Sequence, residues 1–365
     1  MKALARYGKE FGGYRMIDVP VPKIGSEDIL LRVCAATICG ADMKHYKVDN
    51  GSDEFNSIRG HEFAGEIVKV GKDVTDWRVG QRIVSDNSGH VCGYCRADDQ
   101  GDFLNCIHKV NLGLDNNRWG GGFSKYVLIP GEILRIHKHA IWEIPDNVKY
   151  EEASSLDPIC NAYKAVAQQS SLLPGEDVVV FGAGPLGLYS VQIAKLMGAS
   201  HIVLVGMQED TVSRFDIARK LGATETINGS TEDVVARCKE ICGEDNLGLV
   251  IECSGANPAL KQAIEMVRPN AEIVRVGMGF KPLNFSINRI TEWNISILGH
   301  MAYDSITWRN AIELLKTGKI QVEPMITHRF GLSHWEEGFQ AMADKKAIKV
   351  VLTYDYPDAT DTSDF

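Results

Sequence analysis

The run Gly60-His61-Glu62-Phe63-Ala64-Gly65 sets an imidazole and a carboxylate side by side between glycines. Cys39 upstream and Asp157 far downstream complete a set of sulfur, nitrogen and oxygen donors suited to Zn²⁺. A catalytic zinc takes three protein ligands and keeps a fourth position for water or substrate. Cys39, His61 and Asp157 meet that requirement, with Glu62 able to exchange in when the open ligand leaves. Taken singly, these residues have plainer roles: a histidine satisfied in a core, a cysteine acting as a small apolar side chain, an aspartate capping a helix that begins with Pro158. Their joint occurrence near glycines favours the metal.

Downstream, Gly182-Ala183-Gly184-Pro185-Leu186-Gly187 follows the apolar run Asp177-Val178-Val179-Val180-Phe181 and opens a stretch with apolar residues at Leu186, Tyr189, Ile193 and Met197. Between a strand and a helix, G-x-G-x-x-G permits a tight turn and close approach of backbone to a pyrophosphate, which the N–H groups of the helix N-terminus attract. Alone the hexapeptide marks only a turn. With five more strand-like runs behind it, Gly182, Gly184, Pro185, Leu186 and Gly187 form the centre of a dinucleotide site. An NAD ribose calls for an acid near the end of the second strand, and a 2′-phosphate for a base. There the chain reads Val205-Gly206-Met207-Gln208-Glu209-Asp210, so Glu209 or Asp210 must reach back, and Arg214 is the nearby cation. Two acids against one arginine favour NAD and leave NADP open.

Two kinds of scaffold must carry these groups. From Met1 to about Gly131, short alternating apolar runs at 29–33, 66–70, 82–84 and 125–129 are cut by Gly71, Gly80 and Gly89, the pattern of an irregular antiparallel β domain. Between 85 and 122 the alternation lapses into a loop-rich lobe with three cysteines, too poor in apolar residues to hold together without a staple. From Glu151 strands alternate with helices. Runs at 177–181, 201–205, 225–228, 249–253, 272–276 and 295–298 predict a parallel doubly wound sheet of six strands. A helix over 305–316, an amphipathic stretch over 335–343 and a strand over 347–353 are expected next, and the acidic tail 357–365 is expected to be disordered.

The composition fits this division. The 365 residues exceed the ~250–300 at which single cores stop growing. A net charge of -9 argues against a polyanion as partner, so nucleic acid is not expected. No run of about 18 apolar residues predicts a membrane span, and the N-terminus lacks an apolar signal core, so a cytoplasmic protein is expected. Nine cysteines, an odd number, then favour thiols and metal ligands over disulfides, with Cys34, Cys238, Cys242 and Cys253 as core or surface residues.

Gly60-His61-Glu62-x-x-Gly65, followed by Gly71 and Val74, is similar to the signature of the zinc-containing alcohol dehydrogenases. The likeness continues through Cys39-Gly40-x-Asp42, the Cys92 to Cys106 lobe, Gly182 to Gly187 and Lys349-Val350-Val351, and so covers nearly the whole chain. This resemblance, to the medium-chain dehydrogenase/reductase superfamily, implies an α/β protein with a GroES-like catalytic domain at 1–158 and a Rossmann domain at 159–300. It further implies a return to the catalytic domain over 301–356, an active site in the cleft between the domains, and a homodimer or homotetramer. Cys39 and His61 match the family's first two zinc ligands, and Asp42 matches an acid that hydrogen-bonds the ligand histidine. The third ligand is a cysteine in ethanol-type members and a carboxylate in polyol-type members. Here Leu156-Asp157-Pro158-Ile159-Cys160-Asn161 places Asp157 there, in a run that looks like the threonine dehydrogenases and their polyol relatives, with Cys160 as the rival ligand.

Cys92, Cys95, Asp98 and Cys106 repeat the family's structural-zinc spacing with an aspartate in the third place. A Cys₃Asp zinc site therefore stands against a metal-free loop. Ala41 replaces the Ser or Thr that relays the alcohol proton in relatives, which leaves water, a cofactor ribose hydroxyl or His45 as the route. Ala302 stands where sorbitol dehydrogenases carry a substrate-contacting arginine. The expected function is hydride transfer between a secondary alcohol of a small polyol or sugar derivative and NAD(P), giving the ketone, with zinc polarising the oxygen. A threonine-type 3-dehydrogenase is the alternative, and a non-catalytic zinc- and nucleotide-binding relative is the alternative of another class.

Overall fold

Residues 1–8, 13–44, 46, 52–115, 119–279 and 281–357 are described by the structure, a computed structural model of the chain. His45 and all but the first residue of the acidic tail lie outside the described residues. The chain divides into two units. The first holds the described residues up to Asp157, Asp304–Ile306 and those from Ile326 on; the second holds Pro158–Tyr303 and Thr307–Met325. The first division falls after Asp157, in the Leu156–Tyr163 helix. The C-terminal division differs: most of the Ser305–Lys316 helix belongs to the second unit, where its buried Trp308 packs on Tyr303 and its Asn310 bonds Tyr163 at 3.0 Å.

Ten strands open the first unit: β1 (Lys2–Tyr7), β2 (Tyr14–Asp18), β3 (Ile29–Thr37), β4 (Phe55–Ile58), β5 (Glu62–Val70), β6 (Arg82–Ser85), β7 (Ser88–His90), β8 (Val110–Asn111), β9 (Tyr126–Ile129) and β10 (Ile141–Glu143). The second unit contains β11 (Asp177–Phe181), β12 (Ile202–Gly206), β13 (Glu225–Asn228), β14 (Leu247–Glu252), β15 (Glu272–Arg275) and β16 (Ser296–Gly299), and the first is completed by β17 (Ile326–Gly331) and β18 (Lys349–Thr353). In the first unit a seven-stranded sheet runs β10-β6-β5-β3-β18-β17 with β9 also on β3, beside a three-stranded sheet β2-β1-β4. Central β3 reads Ile-Leu-Leu-Arg-Val-Cys-Ala-Ala-Thr, with Ile29, Leu31, Val33, Ala35 and Thr37 buried on one face and Arg32 exposed on the other, and small residues bring it close to β5. A Cβ on Gly65 would lie 2.1 Å from the Arg32 carbonyl oxygen. The register pairs Thr37 with Glu62 and Ala36 with Phe63, so the end of β3 and the start of β5 lie side by side. That juxtaposition builds the metal-type cluster.

Phe63, Phe123 and Phe339 are fully buried beneath this sheet, each worth about 1.5–3 kcal/mol of apolar burial. Phe339 comes from the Trp335–Ala343 helix and meets Tyr14, Tyr46 and Phe123 with ring centroids 5.1, 5.3 and 6.1 Å away. In the 85–122 lobe, where the sequence pattern shows only loop, β7 and β8 form a small antiparallel ribbon. Strands this short carry too little alternation to be read from sequence.

The second unit is a six-stranded sheet in the order β13-β12-β11-β14-β15-β16, every neighbouring pair parallel. This is the doubly wound order in which ligands sit outside the carboxyl ends of the central strands. β11, β12 and β14 are buried along their whole length, as their unbroken apolar runs require. No helix among the described residues is long and apolar enough to cross a membrane.

Candidate active site and nucleotide turn

Cys39 lies two residues beyond β3 and caps the short Gly40–Met43 helix, while His61 and Glu62 enter β5. Gly60 turns the chain into β5 at φ +92°, where a Cβ would strike Phe123 at 2.6 Å, so only glycine fits. The Gly60 carbonyl is held by the Gly122 N–H at 2.6 Å, which is how the glycine loop before β9 fixes His61. One donor atom from each of Cys39, His61 and Glu62 lies within 4.8 Å of the others.

The electrostatics suit a cation. Burial, and then the Glu62 carboxylate, push the Cys39 thiol well above its usual range, with Lys349 pulling the other way. Burial also lowers His61 to about 4, which keeps its imidazole neutral and its lone pair available. His61 Nδ1 is buried with no hydrogen-bond partner, an arrangement that costs about 1–3 kcal/mol unless an electrophile uses it. A sulfur, a ring nitrogen and a carboxylate oxygen within 4.8 Å of one another are the donor set of a borderline-soft divalent ion, so the residues fit Zn²⁺.

Glu62 is anchored from behind. Its Oε2 accepts from Thr37 Oγ1 at 2.5 Å and from Lys349 Nζ. Thr37 does not stand out by type or spacing, and Lys349 enters the sequence reading only through the family likeness of Lys349-Val350-Val351; its own signal is a charge opening the strand Lys-Val-Val-Leu-Thr, whose first four residues are buried.

Asp157 stands apart from the trio. It lies in the first turn of the Leu156–Tyr163 helix, its Oδ2 accepts from Asn87 Nδ2 at 3.1 Å, and its charge helps raise the Cys39 thiol. The rival Cys160 is fully buried and outside the cluster. Asp42 does not bond His61. Its Oδ2 instead accepts from the Cys39 N–H at 3.0 Å, and its Oδ1 faces buried Arg59 at 3.5 Å. Burial raises the Asp42 pKa, and Arg59 opposes that rise. Arg59 also donates to the Leu114 carbonyl, so it ties Asp42 to the loop that packs on Gly60.

In the lobe, Cys92, Cys95, Asp98 and Cys106 bring donor atoms within 4.8 Å of one another, and no cysteine forms a disulfide. Asp98 Oδ2 accepts from the Gly93 N–H at 2.7 Å and the Cys92 thiol at 3.0 Å, whereas its Oδ1 is buried without a partner. Three sulfurs and one oriented carboxylate fit a closed tetrahedral zinc site.

In the second unit the turn after β11 has the expected form. Gly182 adopts φ +100°, and a Cβ on Gly187 would lie 1.8 Å from the Gly182 carbonyl oxygen, so helix and strand approach as closely as glycines allow. A Cβ on Gly184 would meet nothing within 4 Å, and Pro185 begins the Pro185–Leu196 helix with Leu186 and Gly187 in its first turn. The open approach to this N-terminus fits a pyrophosphate. At the end of β12, Asp210 rather than Glu209 reaches back. Glu209 is exposed, while the Asp210 carboxylate accepts from the Met207 N–H at 2.8 Å and pairs with Arg214 at 3.2 Å.

Comparison with known proteins agrees with this geometry. Residues 25–138 match the alcohol dehydrogenase GroES-like domain family and 185–317 the zinc-binding dehydrogenase family. The chain is 73% identical to an uncharacterized zinc-type alcohol dehydrogenase-like protein, YdjL, of Escherichia coli K12, over 98% of this chain and 99% of that one. It is 31% identical to a sorbitol dehydrogenase of Halalkalibacterium halodurans (97% and 99% covered) and 32% identical to an L-threonine 3-dehydrogenase of Yersinia pestis (97% and 100% covered). Among solved structures it resembles the 2R,3R-butanediol dehydrogenase of Bacillus subtilis, with TM-score 0.83 at 27% identity over 97% and 99% of the chains. It also resembles an Escherichia coli CFT073 alcohol dehydrogenase complexed with NADH, with TM-score 0.84 at 27% identity over 97% and 99%. The first unit is thus GroES-like and the second Rossmann-like.

Proposed function

Because the chain belongs to the zinc-containing alcohol dehydrogenase family, we propose that it oxidises a secondary alcohol of a small polyol or sugar derivative to the ketone with NAD(P) as hydride acceptor, or runs the reverse reduction. The observation that carries this reading is the cluster of half-buried Cys39 with buried His61 and Glu62, in which Glu62 is secured by Thr37 and Lys349. Zinc, when bound, supplies the Lewis acidity that lowers the pKa of an alcohol hydroxyl, and the nicotinamide accepts the hydride.

The protein's own contribution is positioning. Cys39, His61 and Glu62 would hold the metal, and Asp157, restrained by Asn87, is the carboxylate proposed to exchange with Glu62. Lys349 pairs with the Glu62 carboxylate and holds it in place beside Cys39 and His61. Ala41 offers no hydroxyl, so the alcohol proton leaves through water, a ribose hydroxyl or His45. The Gly182 to Gly187 turn would hold the cofactor pyrophosphate. The lobe cysteines with Asp98 would hold a second zinc that staples the segment, and a homodimer or homotetramer in the cytoplasm completes the proposal.

The Asp157-Pro158-x-x-Asn161 run and the 32% identity to a threonine dehydrogenase favour amino-alcohol oxidation as the second reading. Nicotinamide absorbance read at saturating NAD or NADP against C4 to C6 polyols, their phosphates and threonine, with a chelator control, decides between them. Turnover of a polyol that stops on prolonged chelation supports the proposal. Turnover of threonine alone transfers it to the second reading, and silence throughout removes both.

A further inference from the structure

We propose, on the metal reading of the first unit given above, that Thr37 is a positioning residue which aims the Glu62 carboxylate by holding one of its two oxygens. Thr37 closes β3, and the register of the sheet sets it directly opposite Glu62, the first residue of β5. On the other side of β3 it is paired with Val351 of β18. Residues opposite each other across strands share a face, and so do residues two apart along a strand, which puts Thr37, Glu62 and Lys349 on one side of the sheet. Thr37 is fully buried there, where an unbonded hydroxyl would be costly.

Two acceptors lie within reach of Thr37 Oγ1, Glu62 Oε2 at 2.5 Å and the Ser154 carbonyl at 3.3 Å. A hydroxyl has one proton to give, and the shorter distance, in the range of a charge-assisted O–H···O⁻ bond, assigns it to the carboxylate. The β-branch of Thr37 restricts rotation about χ1, so the hydroxyl comes from a stiff side chain. Lys349 Nζ donates to the same Oε2. Its ammonium is a point charge on a flexible stem and secures the charge of the carboxylate, whereas the direction comes from Thr37. Both donors fall on Oε2 and neither takes Oε1. A carboxylate gripped by one oxygen keeps the other for a cation and loses freedom to turn away from it. Cys39 follows two residues after Thr37, and the Ile38 N–H between them bonds the Val350 carbonyl at 3.1 Å, so sulfur and carboxylate are mounted from one point of the sheet.

The test is zinc affinity, read by chelator competition on the full chain, with Cys39→Ser identifying the bound zinc that belongs to this centre. Thr37→Val keeps the buried shape and removes the hydroxyl, while Thr37→Ser keeps the hydroxyl. Thr37→Val is expected to weaken the zinc that Cys39→Ser abolishes by about tenfold to a hundredfold, and to leave any zinc held by the lobe cysteines unmoved. Thr37→Ser should restore most of the affinity. Should Thr37→Val fail to fold, the smaller Thr37→Ala is expected to show the same loss. Undiminished affinity without the hydroxyl, an equal fall at the lobe, or a Thr37→Ser variant as weak as Thr37→Val overturns the role of Thr37 and leaves the metal reading standing. A wild-type protein with no zinc sensitive to Cys39→Ser overturns the metal reading and the role of Thr37 together.

Discussion

Lys349 and Glu62, separated by 287 positions in the chain, form an ion pair in which each side chain is 1% exposed. The pair joins β18 to β5 and lies behind the metal-type cluster, with Thr37 on the same carboxylate oxygen. Two charges removed from water are held only by each other and by their hydrogen bonds.

Replacing Lys349 with Met should therefore leave Glu62 buried and unpaired, at a cost of about 3–5 kcal/mol. The double variant Lys349→Met, Glu62→Gln should recover most of that stability while still failing to turn over alcohol. Urea denaturation of the single and double variants reads the difference. A single variant as stable as the wild-type protein would show that the pair does not carry the load assigned to it.

Cys39→Ser and Asp98→Ala should each lower bound zinc by one equivalent, with opposite consequences. The first should abolish turnover with little effect on the lobe. The second should leave Cys39, His61 and Glu62 loaded and lower the melting temperature, because the lobe loses its staple. Metal content measured beside activity separates the two sites, and loss of both metals in either variant would contradict their independence.

Gly184 and Gly187 should respond differently to alanine although they share one motif. At Gly187 the new methyl would sit 1.8 Å from a carbonyl oxygen, so strand and helix must separate and stability should fall by roughly 2 kcal/mol or more. At Gly184 it meets only open space, so Gly184→Ala should fold normally and weaken NAD binding instead. Thermal melting paired with cofactor titration checks both, and undiminished binding by Gly184→Ala would remove the pyrophosphate from that turn.

His300 contacts Gln169 at 2.5 Å and Asn161 at 3.0 Å, and burial, with Lys164 nearby, lowers its pKa to about 4. In the unfolded chain it titrates near ~6.5, so between these values the unfolded state binds more protons. The stabilising contribution is thus complete above about pH 6.5 and is lost as the pH falls toward 4, by roughly 3 kcal/mol at most. Denaturant midpoints across that range should show the loss, and His300→Gln should flatten it. An identical slope in the variant would assign the acid sensitivity elsewhere.

What was legible in the sequence was whatever is contiguous. His61 beside Glu62, the lobe cysteines, and the glycines after β11 carry their geometry in their spacing, since a turn constrains the residues next to it. The pairing of Lys349 with Glu62 depends on β18 lying beside β3, and no spacing encodes that. The family likeness makes Asp42 a partner of His61, but the capping of Cys39 and the charge of Arg59 turn it away. The donor types in the sequence make Asp157 a first-choice ligand, and Asn87, 70 positions earlier, holds its carboxylate. Competition from distant partners decided the outcomes at Glu62 and Asp157, whereas at Asp42 the competitor is the backbone N–H three residues before it.

The position of β18 between β3 and β17 also dictates an order of events as the chain leaves the ribosome. All six strands of the second unit lie between Asp177 and Gly299, and this unit needs nothing translated after Met325. The first unit begins earlier yet must wait for residues 326–353 before its sheet and its Glu62 anchor are complete. Chains arrested before Ile326 should accordingly show a protease-resistant second unit beside a digestible first. The half synthesised first would be the half finished last, so the metal would be captured only after the nucleotide fold has formed.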